Sequence, residues 1–509
     1  MTSLADTLPD DLATLKAMVL AERARADRLA QILKEMQRHR FGRRAETLPQ
    51  DQLELGLEDV QQVEADEAAK VEKGDPERLA ATTTRRRANR GSLPDHLPRI
   101  ETLVDIEDKT CPCCSGALHL IGEDRAERLD IVPAQLRVLV VRRPKYACRA
   151  CEDVVVQAPA PARLIEGGIP TEATVAHVVV GKYADHLPLY RQAQIYARQG
   201  IRLDRSTLAD WVGRAAFLLR PVHERLLETL KRSGKLFADE TTAPVLDPGR
   251  GRTKTGQLWA YARDDRPCGG LDPPGVAYVY APDRKAERPM AHLQGFAGVL
   301  QVDGYGGYRV LADKTGVRLA FCWAHVRRRF YELAAVGPAP IANEALDRIK
   351  ALYAIEAEIR GQDPEARLAA RQERSSPVVE DLEPWLRAKL EIISQKTKLA
   401  EAIRYALSRW QGLTLFLDDG RVEIDNNTVE RSIRPLALTR KNALFAGSDG
   451  GAEHWAVIAS LVETCKLNRV DPQAYLVDVI TRIVAGHPQS QLDDLLPWAY
   501  ASQPLKAVA

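Results

Sequence analysis

KLFADETT at Lys235–Thr242, QLWAYAR at Gln257–Arg263 and VAYVYAP at Val276–Pro282 are three short runs rich in aromatic and β-branched residues, set apart by turn formers. They predict three strands joined as an antiparallel meander. The pattern then changes to a helical segment from Arg284 to Phe296, the run VLQVDGYGGY from Val299, another helix, and VRLAFCWAH from Val317 leading into a basic helix. In that order Asp239 lies on the first strand and Asp303 at the end of the fourth. The two ends are neighbours in such a sheet, so carboxylates 64 residues apart converge.

This is the strand order of an RNase H-like core. Holding two divalent ions ~3.5 to 4 Å apart, one to activate water and one to stabilise the leaving oxygen, takes a third carboxylate. Glu430 is the candidate: in IDNNTVERSIRP (Ile424–Pro435), Asp425 or an Asn caps a helix and sets Glu430 about a turn inside it. It follows Asp303 by 127 residues, so the Ala-, Leu-, Arg- and Glu-rich stretch at about 331–410 reads as an inserted helical domain. Each carboxylate has a plain alternative as a strand end, a turn residue or a surface ion pair. Their joint placement on strand, strand and helix favours a shared site. His325 and Arg327, Arg328 and Arg329 follow the fifth strand and either meet a scissile phosphate or form a buried imidazole and a solvated helix face. Arg431, Arg434, Arg440 and Lys441, near the third carboxylate, suit DNA phosphates.

Outward from this core the chain carries several modules. Leu12, Leu15, Val19, Ala26, Leu29, Leu33 and Met36 alternate three and four apart, with Glu22 interrupting, which reads as a short coiled coil pairing two copies or as an amphipathic helix on its own chain. An acidic stretch without apolar periodicity follows, then Arg85, Arg86, Arg87 and Arg90. Cys111-x-x-Cys114 and Cys148-x-x-Cys151 flank a strand-like run, Gln135–Val141, and two such knuckles supply the four thiolates of one structural zinc. Arg137, Arg142, Arg143, Lys145 and Arg149 beside the second knuckle favour nucleic-acid contact. Between Thr171 and Ala216 three helices with a turn at Gly200 resemble a helix-turn-helix or a packing bundle. Six basic residues (Lys182, Arg191, Arg198, Arg202, Arg205, Arg214) against three acidic ones favour DNA, with Ser206–Arg214 entering the major groove.

Composition bounds the rest. With 72 Lys and Arg against 70 Asp and Glu, the net charge of +2 gives no global attraction to polyanions, so DNA contact has to come from local patches. The acidic opening MTSLADTLPDD and the lack of ~18 consecutive apolar residues predict a cytoplasmic, nucleoid-associated protein without membrane contact. The loop PGRGRTKTG (Pro248–Gly256) lacks the GK[ST] ending of a phosphate-binding loop, so ATP use is not expected. No activated Ser or Tyr announces a covalent intermediate.

ADET, YVYAPDRKAERP, VDGYGGY, CWAHVRRRF, DNNTVERSIRP and ETCKLNRVDPQAYL, in this order, resemble the insertion-sequence sixty-six family of bacterial transposases, and the likeness runs from the Leu-rich amino-terminal helix to the terminal LLPWAY. The resemblance implies DDE chemistry with Asp239, Asp303 and Glu430 as the metal triad and two magnesium ions per site. One departure is CPCCSG where the family has CPxCGG, which makes Cys113 an extra thiol. The expected architecture is multidomain α+β: a coiled-coil helix (1–48), a linker with a basic run (49–105), a zinc-binding domain (106–160), a helix-turn-helix (165–225), an RNase H-like α/β catalytic core (230–465) with its helical insertion, and a helical cap (466–509). The expected partners are the terminal inverted repeats of a mobile element, target DNA, a second copy of the chain, and accessory proteins of the same element. A DNA-binding regulator with an inactive core and a nuclease without strand transfer are the rival readings.

Overall fold

The structure, a computed structural model, describes residue 99 and residues 136–147, 155–247, 250–335 and 337–501. The expected coiled coil, the linker, the Arg85–Arg90 run, Arg149 and the four paired cysteines lie outside the described residues. Strands β1 (Lys145–Ala147) and β2 (Val155–Gln157) pair antiparallel, with Lys145 opposite Gln157. The strand expected over Gln135–Val141 is displaced to β1: Leu136–Val141 join no ladder, and Val138 is 87% exposed. An apolar run forms a strand where it finds a neighbour and a face to cover it, and among the described residues this one has neither.

Three helices follow: α1 (Glu172–Tyr183), capped by Thr171, α2 (Leu189–Arg198) and α3 (Arg205–Lys231). Gly200 turns the chain between the last two at φ 83°, a conformation that suits glycine. The helix expected to stop near Arg214 runs on to Lys231, because Leu208, Trp211, Ala215, Leu219, Val222, Leu226 and Leu230 continue one buried stripe. The helix that starts in the basic trio therefore ends against the central sheet.

That sheet has five strands in the order β5-β4-β3-β6-β7: β3 (Lys235–Asp247), β4 (Arg252–Arg263), β5 (Gly275–Ala281), β6 (Val299–Val302) and β7 (Arg318–Phe321). The first three are antiparallel neighbours, and β6 and β7 are added in parallel. Helix α4 (Glu287–His292) precedes β6 and α5 (Gly306–Thr315) precedes β7. The expected helix from Arg284 to Phe296 shrinks to α4. Of the expected loop Pro248–Gly256, Arg252–Gly256 lie on β4, with Arg252 opposite Asp247.

Beyond β7 come α6 (Trp323–Ala334), α7 (Pro340–Ile359), α8 (Pro364–Ala370), which passes through a π-helical turn into α9 (Ser376–Ile392), then α10 (Lys398–Leu407) and α11 (Trp410–Leu413). Helices α12 (Asn427–Ala443), α13 (Asp449–Leu467), α14 (Pro472–Val484) and α15 (Pro497–Ala501) complete the described residues. Helix α13 seals the open edge of β5. Ser460 Oγ accepts from Tyr278 N at 2.8 Å, and Thr464 Oγ1 accepts from Val276 N and donates to Val276 O. His223 of α3 satisfies the Tyr278 carbonyl at 2.9 Å. An edge covered in this way offers no ladder to another strand. Among the described residues no helix is long and apolar enough to cross a membrane.

Candidate active site

The register of the parallel pair β3–β6 sets two carboxylates side by side. Lys235, Leu236 and Phe237 face Val299, Leu300 and Gln301, and carrying that register two positions further brings Asp239 level with Asp303. Residues in register on adjacent strands point to one face. Asp303 Oδ1 accepts Tyr305 N at 2.9 Å in the turn after β6, where Gly304 sits at φ 110° and a Cβ would meet Arg409 Nε at 2.6 Å. Asp239 Oδ1 accepts the next backbone N–H, that of Glu240, at 2.8 Å.

The third carboxylate is delivered by a segment stitched across the strand ends. Gln301 and the Glu423 backbone exchange two hydrogen bonds of 2.9 Å, Trp323 N donates to Ile424 O, Asn426 N donates to Cys322 Sγ, and Asn426 Nδ2 donates to Ala238 O at 3.1 Å. Helix α12 starts there with Glu430 in its first turn. The helix cap is Asn426, while Asp425 turns to Asn427, accepting from its N at 3.1 Å and its Nδ2 at 2.6 Å.

Beneath this segment lies a buried charge network. Arg367 donates to Glu423 at 2.8 Å and to Glu356 at 3.3 Å, and Arg371 binds both Glu356 oxygens at 2.7 Å. Both guanidiniums are fully buried, and Arg371 also reaches the carbonyls of Phe416, Asp419 and Gly420. The network joins α7, α8 and the π turn to the strand-end segment, so the inserted helices brace the backbone that leads to Glu430.

The electrostatics report the crowding. Burial first, then the charges of Asp303 and Glu240 and more weakly Glu430, push the Asp239 carboxyl up to about 8. Glu240, opposite Trp259 and so on the other face of the sheet, is raised by burial and by Asp303, and its partners Arg284 and Tyr308 Oη oppose that shift. Glu430 Oε1 and His325 Nδ1 lie 3.7 Å apart, and each is buried without a hydrogen-bond partner. Cys322 Sγ belongs to the same group, all three ligand atoms lying within 4.8 Å of one another. A cation relieves an excess of carboxylate charge with an orphaned oxygen; Cys322, His325 and Glu430 are the donors that lie close enough together to hold one metal ion among the described residues, and Asp239 and Asp303 stand outside that group.

The remaining sequence candidates scatter. Arg327 and Arg328 are exposed on α6, and Arg431 and Arg434 on α12. Arg202 and Arg205 are exposed at the start of α3, whereas Arg214 pairs with Asp210 at 2.8 Å. Arg142 is exposed, but the Arg143 guanidinium is engaged by the Ala158 carbonyl of its own hairpin. Sequence reasoning passed over Glu240, Cys322, Tyr405 and Arg409. Only the ADET and CWAH motifs held a signal for the first two; Tyr405 Oη donates to the Asp303 carbonyl at 2.8 Å across a separation that local pattern does not encode.

Residues 167–454 match the family described as Transposase IS66 family, 460–498 the IS66 C-terminal element, 108–152 the zinc-finger binding domain of transposase IS66, and 28–102 the family described as Transposase C of IS166 homeodomain. Three uncharacterized proteins of Sinorhizobium fredii are similar over most of their length. The protein y4jD is 47% identical over 97% of each chain, and y4qI is 45% identical over 97% of this chain and 98% of its own. The protein y4hP is 38% identical over 93% of this chain and 88% of its own.

Proposed function

Because this chain belongs to the IS66 transposase family, we propose that it cuts the 3′ ends of a mobile element and joins them to target DNA, with Asp239, Asp303 and Glu430 as the catalytic carboxylates. The observation that carries the reading is the register of β3 and β6, which sets Asp239 beside Asp303, together with the Asn426 anchor that starts α12 against β3. The sheet order β5-β4-β3-β6-β7 supports an RNase H-like core. Two magnesium ions held by the three carboxylates would supply the Lewis acidity that activates water, and later a DNA 3′-hydroxyl, and that stabilises the leaving oxygen.

The chain's own residues do the positioning. In this reading Asp239 is presented from within β3, Asp303 from the turn after β6, and Glu430 from the helix that follows the stitched segment 423–426. His325, 3.7 Å from Glu430, orients that carboxylate and faces the scissile phosphate. Arg327, Arg328, Arg431 and Arg434 hold the DNA backbone without reading its sequence. Arg202, Arg205 and Arg214 on or beside α3 contact the element ends, as do Arg142 and Arg143 near the knuckle. One structural zinc at Cys111, Cys114, Cys148 and Cys151 supports that contact, and the amino-terminal helix pairs two copies of the chain.

The test is to replace Asp239, Asp303 or Glu430 by the matching amide. Each variant should bind element-end DNA as the parent does and lose both nicking and joining, and Asp239→Asn with Glu430→Gln should be scarcely worse than either alone, since all act through one centre. Near-parental cleavage by an amide variant removes that residue from the triad.

A further inference from the structure

Three arginines from separate elements gather at the Asp303 turn. Arg329 of α6 and Arg409, just past α10, each place the guanidinium carbon 3.9 Å from the centroid of the Tyr405 ring. A phenol has room for one guanidinium on each face at that distance, so the two enclose it. Arg309 of α5 joins them by donating to Ser408 O at 3.2 Å, and both Arg309 and Arg409 lie over the Phe321 ring. Tyr405 itself is tied to the Asp303 carbonyl, and Arg409 donates to Gly304 O at 3.3 Å.

The cluster is short of negative charge. Among the described residues none of the three makes an ion pair, although most arginines around the core do. Arg409 Nε is a buried donor without an acceptor. Burial, joined by the charges of Arg309 and Arg329, holds the Arg409 guanidinium below its ordinary value. The acceptors that Arg309 and Arg409 do have, the carbonyls of Gly304, Tyr405 and Ser408 and the Ser408 hydroxyl, are all neutral, and arginines kept this close without a carboxylate present the charge that binds phosphate oxygens. Arg309 and Arg329 are exposed, so a ligand reaches them.

We propose that Arg309, Arg329 and Arg409, assembled on Tyr405 beside Asp303, form a clamp for backbone phosphates of the DNA strand entering the carboxylate cluster. The clamp rests on the proposed DNA-cutting role and adds to it a phosphate-holding surface on the β6 side of the site, built partly from the inserted helices. It also accounts for the link between Tyr405 and Asp303: strand holding and carboxylate placement share one side chain.

The experiment measures binding of the full-length chain to a 40-base-pair duplex in EDTA, which removes cleavage from the readout, across 50 to 200 mM salt. Replacing all three arginines by Gln should reduce the slope of log affinity against log salt by about 0.9 for each phosphate that is no longer neutralised, and by at least one such step. Arg329→Lys should keep most of the parental slope. Arg329→Glu, an exposed change that leaves the fold intact, should weaken binding at least tenfold at the lowest salt. The reduction should add to that of Arg205→Ala, which lies on a distant helix. An unchanged slope in the triple variant overturns the clamp, as does parental affinity in Arg329→Glu; if the triple variant does not fold, the single one decides. Failure of the triad would appear instead as cleavage surviving in the amide variants, with the salt slopes unaffected.

Discussion

Replacing Asp239 by Asn should stabilise the metal-free protein, and the gain should depend on pH. The folded state holds the Asp239 carboxyl at about 8, whereas an unfolded aspartate titrates near ~4. Between those values the folded protein binds a proton that the unfolded chain has released, so wild-type stability falls as pH rises through that window. At about 1.4 kcal/mol for each tenfold change in the proton equilibrium, the penalty above pH ~8 is at most ~6 kcal/mol. Water reaches the cluster and screens a good part of it, so ~2 kcal/mol is the expected gain for the amide. The assay is denaturant unfolding of EDTA-treated Asp239→Asn and parent from pH 4.5 to 9. The difference should be small at the acid end, grow with pH and level off near 8, and added magnesium should stabilise the parent more than the variant. An amide that destabilises the protein at pH 8, or a gain that does not vary with pH, would refute the account of Asp239 as a carboxyl crowded by its neighbours.

Three further outcomes are expected. Glu356→Ala should cost about 3 to 5 kcal/mol, because it strips a carboxylate from two fully buried guanidiniums, Arg367 and Arg371; a loss under about 1 kcal/mol in chemical denaturation counts against the network as a structural tie. Cys148→Ser should lower bound zinc, by elemental analysis, from about one atom per chain to well below it, and undiminished zinc removes the four-cysteine site. Arg205→Ala should weaken binding to element-end DNA and lessen its salt dependence by about the share of one phosphate, whereas an unchanged slope assigns Arg205 to the packing of α3.

What the sequence disclosed and what it concealed follows from the range of the interactions. The β-rich runs and the turns between them carried the meander, and the adjacency of the first and fourth strands followed from the order of the elements. Once that pairing was expected, Asp239 and Asp303 had to converge. The first-turn position of Glu430 on α12 was legible because a capping segment precedes it in the same dozen residues. The bracing network was not, since Arg367 and Arg371 sit in a helical stretch whose alternating charges read as a solvated face. Arg367 is paired by Glu423, 56 positions further on, and Arg371 is held by the carbonyls of Phe416, Asp419 and Gly420 as well as by Glu356. Tyr405 and Arg409 were hidden for the same reason. The segment Ser206–Arg214 proved to be the first part of a longer helix, whose apolar stripe continues past Pro221 to Leu230 and packs against the sheet.

The insertion between Asp303 and Glu430 also has a consequence in time. A chain made from its amino end at ~5 to 20 residues per second carries the first two carboxylates for roughly 6 to 25 s before the third is synthesised. During that interval Gln301 lacks the Glu423 backbone with which it exchanges hydrogen bonds and the Ala238 carbonyl lacks the Asn426 amide that donates to it, and any product cut short by a premature stop or by proteolysis within the inserted helices stays in the same state. Under the proposed role, a ribosome-bound or truncated copy is harmless to the chromosome from which it is being read. Competence to break DNA arrives late in translation, after the bracing helices have been made.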